Sequence, residues 1–177
     1  MNLILETERF ILKEINIEHA DDLFEMDANP AVHQFIENKP LKTKKEIYPI
    51  IEMIRAQYTK FGVGRWAVIQ KTNKECVGWA GIKFYAEPIH TYLNFYDLGY
   101  RFKQKYWGKG FATETSKQIV HYAFHTLKLN QLNAHADEQN IKSNKVLLKC
   151  NFELKDNFLL DGKNINWYEL SKSKPGK

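Results

Sequence analysis

A chain of 177 residues, 44% hydrophobic and 14% aromatic, is sized for one domain with a substantial core. Its formal net charge of +5, part of it in the closing "SKSKPGK", permits an anionic ligand without demanding nucleic acid. No apolar run approaches the ~20 residues of a bilayer span, the opening "MNLILETERF" lacks a secretory-signal pattern, and Cys76 and Cys150 fit neither a disulfide framework nor a metal site. The expectation is a cytoplasmic protein, monomer or homodimer, with no metal, no membrane partner and no direct nucleic-acid partner. Residues 1–171 read as one domain and 172–177 as a flexible basic tail.

In chain order, "ERFILKEI" (Glu8–Ile15) predicts a strand. "IEHADDLFEM" follows as a helix, with Ala20, Leu23 and Met26 on one face. Asn29 to Leu41 reads as loose. Thr43 and Glu46 have capping-box spacing, and Ile47, Ile50, Ile51, Ile54 and Tyr58 form a helical stripe in which Pro49 marks a start or a kink. The period then changes to that of strands: "RWAVIQ", "ECVGWAGIKFY" and "NFYDLGYRF". A helix is predicted from about Phe111 to Leu127, a strand at Gln131–Asp137 and a helix at Ser143–Cys150. A hairpin turning at Asp161-Gly162 closes the chain. A meander followed by crossovers argues for an α+β fold, with a mixed sheet and helices packed on its faces.

The stretch "KQKYWGKGFATET" (Lys103–Thr115) joins a strand to a helix and crowds three lysines around two glycines. It is not a Walker loop, because Gly108-Lys109 is followed by Gly110 rather than Ser or Thr. "GVGRWA" from Gly62 fits a dinucleotide pattern by letter but leads into a strand, so it reads as a turn. Around Gly108–Ala112, backbone amides and the helix start make a pyrophosphate cradle, with Lys103, Lys105 and Lys109 as a basic rim. The same residues equally describe a glycine turn beside a solvated basic edge.

"WGKGFATE" resembles the acetyl-coenzyme-A motif of the GNAT acetyltransferases, with Trp107 where Gln or Arg is usual. That departure resembles the branch of ribosomal-protein N-terminal acetyltransferases (RimJ/RimL-like). "TERFILKEI", "DLGYRF" and "NIKSNKVLLKCNF" resemble that branch in the same order, with Asn151 in place of a Gly. The resemblance implies a mostly antiparallel sheet splayed between the fourth and fifth of the predicted strands, with acetyl-CoA as co-substrate in the gap. It places the pantetheine arm along Tyr100, Arg101 and Phe102. The pyrophosphate falls on Trp107, Gly108, Lys109, Gly110, Phe111, Ala112 and Thr113, and Asn140 is near the pantetheine amides, although it also reads as a turn residue. The implied reaction is acetyl transfer to a primary amine.

An amine of pKa roughly 8–10 must lose a proton before it attacks. Asp97 aligns with the family's strand carboxylate and is the candidate base, directly or through water; its alternative is a structural Asp. Ser143 aligns with a serine near the coenzyme-A sulfur and is the candidate proton donor to the leaving thiolate, or a helix N-cap, or both. His121 and His125 share a solvated helix face with Glu114, and His90 sits in a loop. The resemblance assigns acceptor selection to about Asp27–Phe35 and Asn157–Asn166, with Phe35, Trp79, Tyr85 and Trp167 as walls or core. The acceptor is a protein or peptide N-terminus, that of a ribosomal protein included, or a small amine. The competing classes are a non-catalytic acyl-CoA sensor and a basic RNA- or ribosome-binding module.

Overall fold

The computed structural model describes residues 4–172. The predicted opening strand is β2 (Phe10–Glu14), and an additional strand before it, β1 (Ile4–Glu6), pairs with it antiparallel across a turn at Thr7–Arg9. The Thr7 hydroxyl accepts the Phe10 N–H at 3.0 Å and fixes that turn. α1 (Ala20–Asp27) follows a short 3-10 turn capped by Asn16. The segment read as loose contains a further turn of helix, α2 (Pro30–His33), because Asn29 caps it and Pro30 occupies its first position. α3 (Ile47–Phe61) starts at Ile47, so Pro49 falls in the first turn, where its missing N–H has no partner to lose. The Glu46 carboxylate accepts the Thr43 N–H at 2.8 Å, completing the expected box.

The predicted meander is β3 (Arg65–Gln70), β4 (Cys76–Tyr85) and β5 (Phe95–Phe102). Then come α4 (Phe111–His125), β6 (Gln131–Asp137), α5 (Ile141–Lys149), β7 (Glu153–Leu160) and β8 (Lys163–Ser171). All eight strands form one sheet in the order β1-β2-β3-β4-β5-β6-β8-β7. Every pairing is antiparallel except β5 with β6. With the extra N-terminal strand counted, the splay expected between the fourth and fifth strands lies between β5 and β6.

Alternation along the strands builds a different core on each face. On one face, Trp66, Val68, Ala80, Ile82, Leu98 and Phe102 pack against Phe111, Ile119 and Tyr122 of α4. On the other, Ala67 and Trp79 meet Leu23 and Met26 of α1 and Ile47, Ile51 and Ile54 of α3. Phe95, Phe158 and Trp167 extend this second face toward the closing hairpin. Both cysteines are buried and free. Asn151 stands in left-handed backbone at φ +66°, which Asn tolerates better than most residues. The Lys172 N–H is bonded to the Asn130 carbonyl at 2.9 Å; the rest of the expected tail lies outside the described residues.

Candidate active site

β5 and β6 register only at Asp97 with Asn133. Beyond that bridge, Leu98–Phe102 and Ala134–Asp137 run on without a ladder between them, which leaves an open cleft lined by backbone groups. Of the residues expected on its β5 edge, Phe102 is buried in the main core, so its contribution to the cleft is main chain. The Arg101 side chain turns to the opposite face and gives a 2.7 Å ion pair to Asp27. Tyr100 is half-buried, and its hydroxyl meets Ser143 Oγ at 2.9 Å and donates to the Ser143 carbonyl at 3.2 Å. Burial pushes the Tyr100 phenol well above its ordinary pKa, although the bond to Ser143 opposes this, so it stays protonated.

The predicted helix at Ser143 begins two residues earlier. Asn140 is its cap, accepting the Ser143 N–H at 3.1 Å. Ser143 is therefore not the cap. Its hydroxyl sits in the first turn, shared with Tyr100.

The glycine stretch leaves β5 through Trp107, whose indole N–H donates to the Phe102 carbonyl at 2.8 Å. Gly108 and Gly110 have φ of +75° and +78°, backbone that other residues adopt at a cost. A Cβ at Gly108 would meet nothing within 4 Å, so the loop borders open space. Gly110 is the N-cap of α4 and has no side chain to satisfy the first amides of the helix. The Phe111 ring packs into the core, while Ala112 and Thr113 are half-buried in the first turn. Unpaired donors and a positive helix end suit the diphosphate of coenzyme A.

Arg9 binds this loop from the N-terminal hairpin. Its Nη1 donates to the Lys109 carbonyl at 2.9 Å, and its Nε lies 2.5 Å from the Glu114 carboxylate. Glu114, predicted on a solvated face, is thus a structural partner. Burial would raise its pKa, but bonds from Thr7 and Arg9 bring it below the usual carboxylate range.

Two of the three lysines expected as a basic rim are paired with acids instead. Lys103 is only 3% exposed and lies 2.6 Å from Asp22, 2.6 Å from Glu25 and 3.0 Å from Glu75. Lys105 pairs with Glu75 at 2.8 Å. Burial opposes the charge on Lys103, but the three carboxylates prevail and raise its pKa. Burial likewise opposes the charge on Glu75, yet Lys105, Tyr106 and Lys103 bring it down to about 2. These lysines neutralise acids from α1 and the β3–β4 turn. Lys109 alone of the three remains beside the loop, its ammonium 5.3 Å from the Tyr106 ring centre.

Asp97, at the vertex of the cleft, is buried and bonded to His135 Nδ1 at 2.8 Å. Burial lowers the pKa of His135, but the Asp97 charge and hydrogen bond outweigh it and leave the imidazole above its ordinary value. Sequence reasoning missed His135. The available signal was alternation, which puts Asn133, His135 and Asp137 on one face of the strand beside Asp97. Tyr85 and Trp167 flank the imidazole at ring distances of 6.0 and 6.2 Å. Trp79 and Trp167 are core residues. Phe35 lines a depression of about 340 Å³ with Gln34, Asp137, Leu159 and Lys163, where the two segments expected to select the acceptor meet. His90 is exposed and stacks on Phe158, and His121 and His125 stack on each other at the helix surface.

The family model described as an acetyltransferase (GNAT) domain matches residues 9–153. An uncharacterized N-acetyltransferase, p20, of Bacillus licheniformis is 29% identical over 171 residues, 94% of each chain. The fold is similar to a putative ribosomal-protein-serine acetyltransferase of Vibrio cholerae, with TM-score 0.77 and 23% identity over 96% of this chain and 98% of that one. It is also similar to the spermidine N-acetyltransferase of Vibrio cholerae in complex with CoA and spermine, with TM-score 0.74 and 17% identity over 94% and 97%. With the splayed sheet and the glycine-opened helix, the match over residues 9–153 identifies this chain as a member of the GNAT family, acetyltransferases that move an acetyl group from acetyl-CoA to an amine.

Proposed function

We propose that this protein acetylates a primary amine by direct attack on acetyl-CoA in a ternary complex. The observation that carries the reading is the cleft opened beyond the Asp97–Asn133 bridge, with an uncapped helix start at one end and a carboxylate–imidazole pair at its vertex. Amides of Gly108–Thr113 hold the pyrophosphate, the main chain of Tyr100–Phe102 lines the pantetheine arm, and a β5 amide polarises the thioester carbonyl. Asn140 sets the Ser143 backbone by capping and borders the same arm.

As the C–N bond forms and the C–S bond breaks, the amine's proton passes to the Asp97–His135 pair, directly or through water. The thiolate, whose conjugate acid titrates near about 8.5, takes a hydrogen bond or proton from Ser143, itself in contact with Tyr100. Trp107 and the likeness in fold to a ribosomal-protein acetyltransferase favour the N-terminal acetyltransferase branch, acting in the cytoplasm as a monomer or homodimer. The test is thermal stabilisation by acetyl-CoA, followed by thiol release against peptides and amines. Stabilisation with turnover supports the enzyme. Stabilisation with no turnover of any amine identifies an acyl-CoA sensor, and no stabilisation at millimolar acetyl-CoA overturns both.

A further inference from the structure

The sheet face that carries Asp97 is rich in cations. Lys83 of β4 is the register partner of Asp97, Arg65 of β3 pairs with Gly81 two residues back along β4, and Arg101 lies four residues along β5. Arg101 is neutralised by Asp27 and Asp97 is engaged by His135. Arg65 and Lys83 have no carboxylate oxygen within 4.0 Å among the described residues. Instead, the Arg65 guanidinium rests 4.5 Å from the Trp79 ring centre and the Lys83 ammonium 3.8 Å from that of Tyr85. Aromatic faces hold these groups in place without cancelling their charge.

Both side chains are half-buried. Burial lowers the pKa of each, the Arg65 charge lowers that of Lys83 further, and the Asp97 charge opposes this in both without prevailing. Two partly desolvated cations that share one nearby carboxylate, Asp97, and contact none keep an excess of positive charge and gain when an anion arrives. That anion is not the coenzyme pyrophosphate. Lys83 is level with Asp97, five residues before the end of β5, so roughly 17 Å of strand separates it from the start of the glycine loop.

We infer that the amine acceptor carries a carboxylate, held by Arg65 and Lys83, as in an amino acid or a small acidic amine. The inference rests on the acetyl-transfer reading and, within the family branch proposed above, names a small carboxylated amine rather than a protein N-terminus as the acceptor. The same two cations favour the neutral form of the incoming amine and repel an acceptor with a second ammonium.

The test uses matched pairs: L-lysine against 1,5-diaminopentane, and L-phenylalanine against 2-phenylethylamine. Initial rates with acetyl-CoA are compared in the wild-type protein, Arg65→Gln and Lys83→Met, each checked for folding by acetyl-CoA stabilisation. The expected result is a kcat/KM preference for the acid of about tenfold or more, falling below about threefold in either variant. Equal rates within each pair, or a preference for 1,5-diaminopentane, overturn the carboxylate site while leaving the acetyltransferase standing. Absence of any turnover counts against acetyl transfer instead. Calorimetric binding of L-phenylalanine and 2-phenylethylamine to the CoA-saturated protein then decides the site: tighter binding of the acid supports it, and equal affinity overturns it.

Discussion

Replacing Asp97 by Asn keeps the shape of the side chain and a hydrogen bond to His135 but removes the charge. In the wild-type protein two opposing influences act on His135: burial lowers its pKa, and Asp97 raises it by charge and hydrogen bond. Without the charge, burial prevails and the imidazole falls below its ordinary value of about 6.5. The acid limb of the kcat/KM profile should therefore move to lower pH. The maximal rate should fall by about 10²–10⁴ if the pair receives the amine's proton, or about 2.7–5.5 kcal/mol at ~1.36 kcal/mol per decade. The assay is thiol release from acetyl-CoA across the pH range, with acetyl-CoA stabilisation as the folding control. A variant within about threefold of wild type, with an unmoved acid limb, would refute a proton-accepting role for the pair. Stability gives a second readout. The raised folded-state pKa of His135 stabilises the fold fully below about 6.5 and less as pH rises through the raised value. The melting gap between wild type and Asp97→Asn should thus be wider at about pH 6 than at about pH 8.5.

Three other perturbations separate neighbouring roles. Arg9→Ala removes the side-chain bonds to Lys109 and Glu114. Because Arg9 is partly exposed, the loss should be about 1 kcal/mol, or ~2–4 °C in Tm, with a several-fold rise in the KM for acetyl-CoA measured by thiol release. Lys103→Ala leaves Asp22, Glu25 and Glu75 facing one another. It should cost about 2–4 kcal/mol at neutral pH by denaturant melt, partly recovered as the carboxylates protonate toward about pH 4. Calorimetry should show acetyl-CoA affinity of the folded Lys103 variant within about twofold of wild type, whereas a residue of a phosphate rim would lose more. Ser143→Ala retains the N–H that Asn140 accepts, so the melting point should hold while kcat falls by about 3–10-fold, the worth of one hydrogen bond.

The elements were legible where period and punctuation agreed. Gln131–Asp137 matches its predicted strand residue for residue, and the Asp161-Gly162 turn sits between its two strands. β1 (Ile4–Glu6) carried no such signal, because three residues are too few to show a period and its pairing with β2 is what defines it. The site was read from motif positions, which speak of the main chain. Side-chain partners were another matter. Lys103 and Lys105 looked like a rim because their acids come from residues 22, 25 and 75, and no local pattern encodes that meeting. His135 was passed over for the same reason: its importance comes from Asp97, 38 residues earlier. Ser143 as a cap failed for a local reason, since Asn140 competed for that role and stood three residues earlier.

The hold of Arg9 on the Lys109 carbonyl has a practical consequence for anyone handling this protein. The N-terminal hairpin braces the glycine loop that we propose holds the coenzyme, reached across 100 residues of chain. A fusion partner or a trimmed start that disturbs β1 and β2 would be felt first in coenzyme affinity. A preparation that is folded but weak for acetyl-CoA should therefore have its leading residues checked before its catalytic ones.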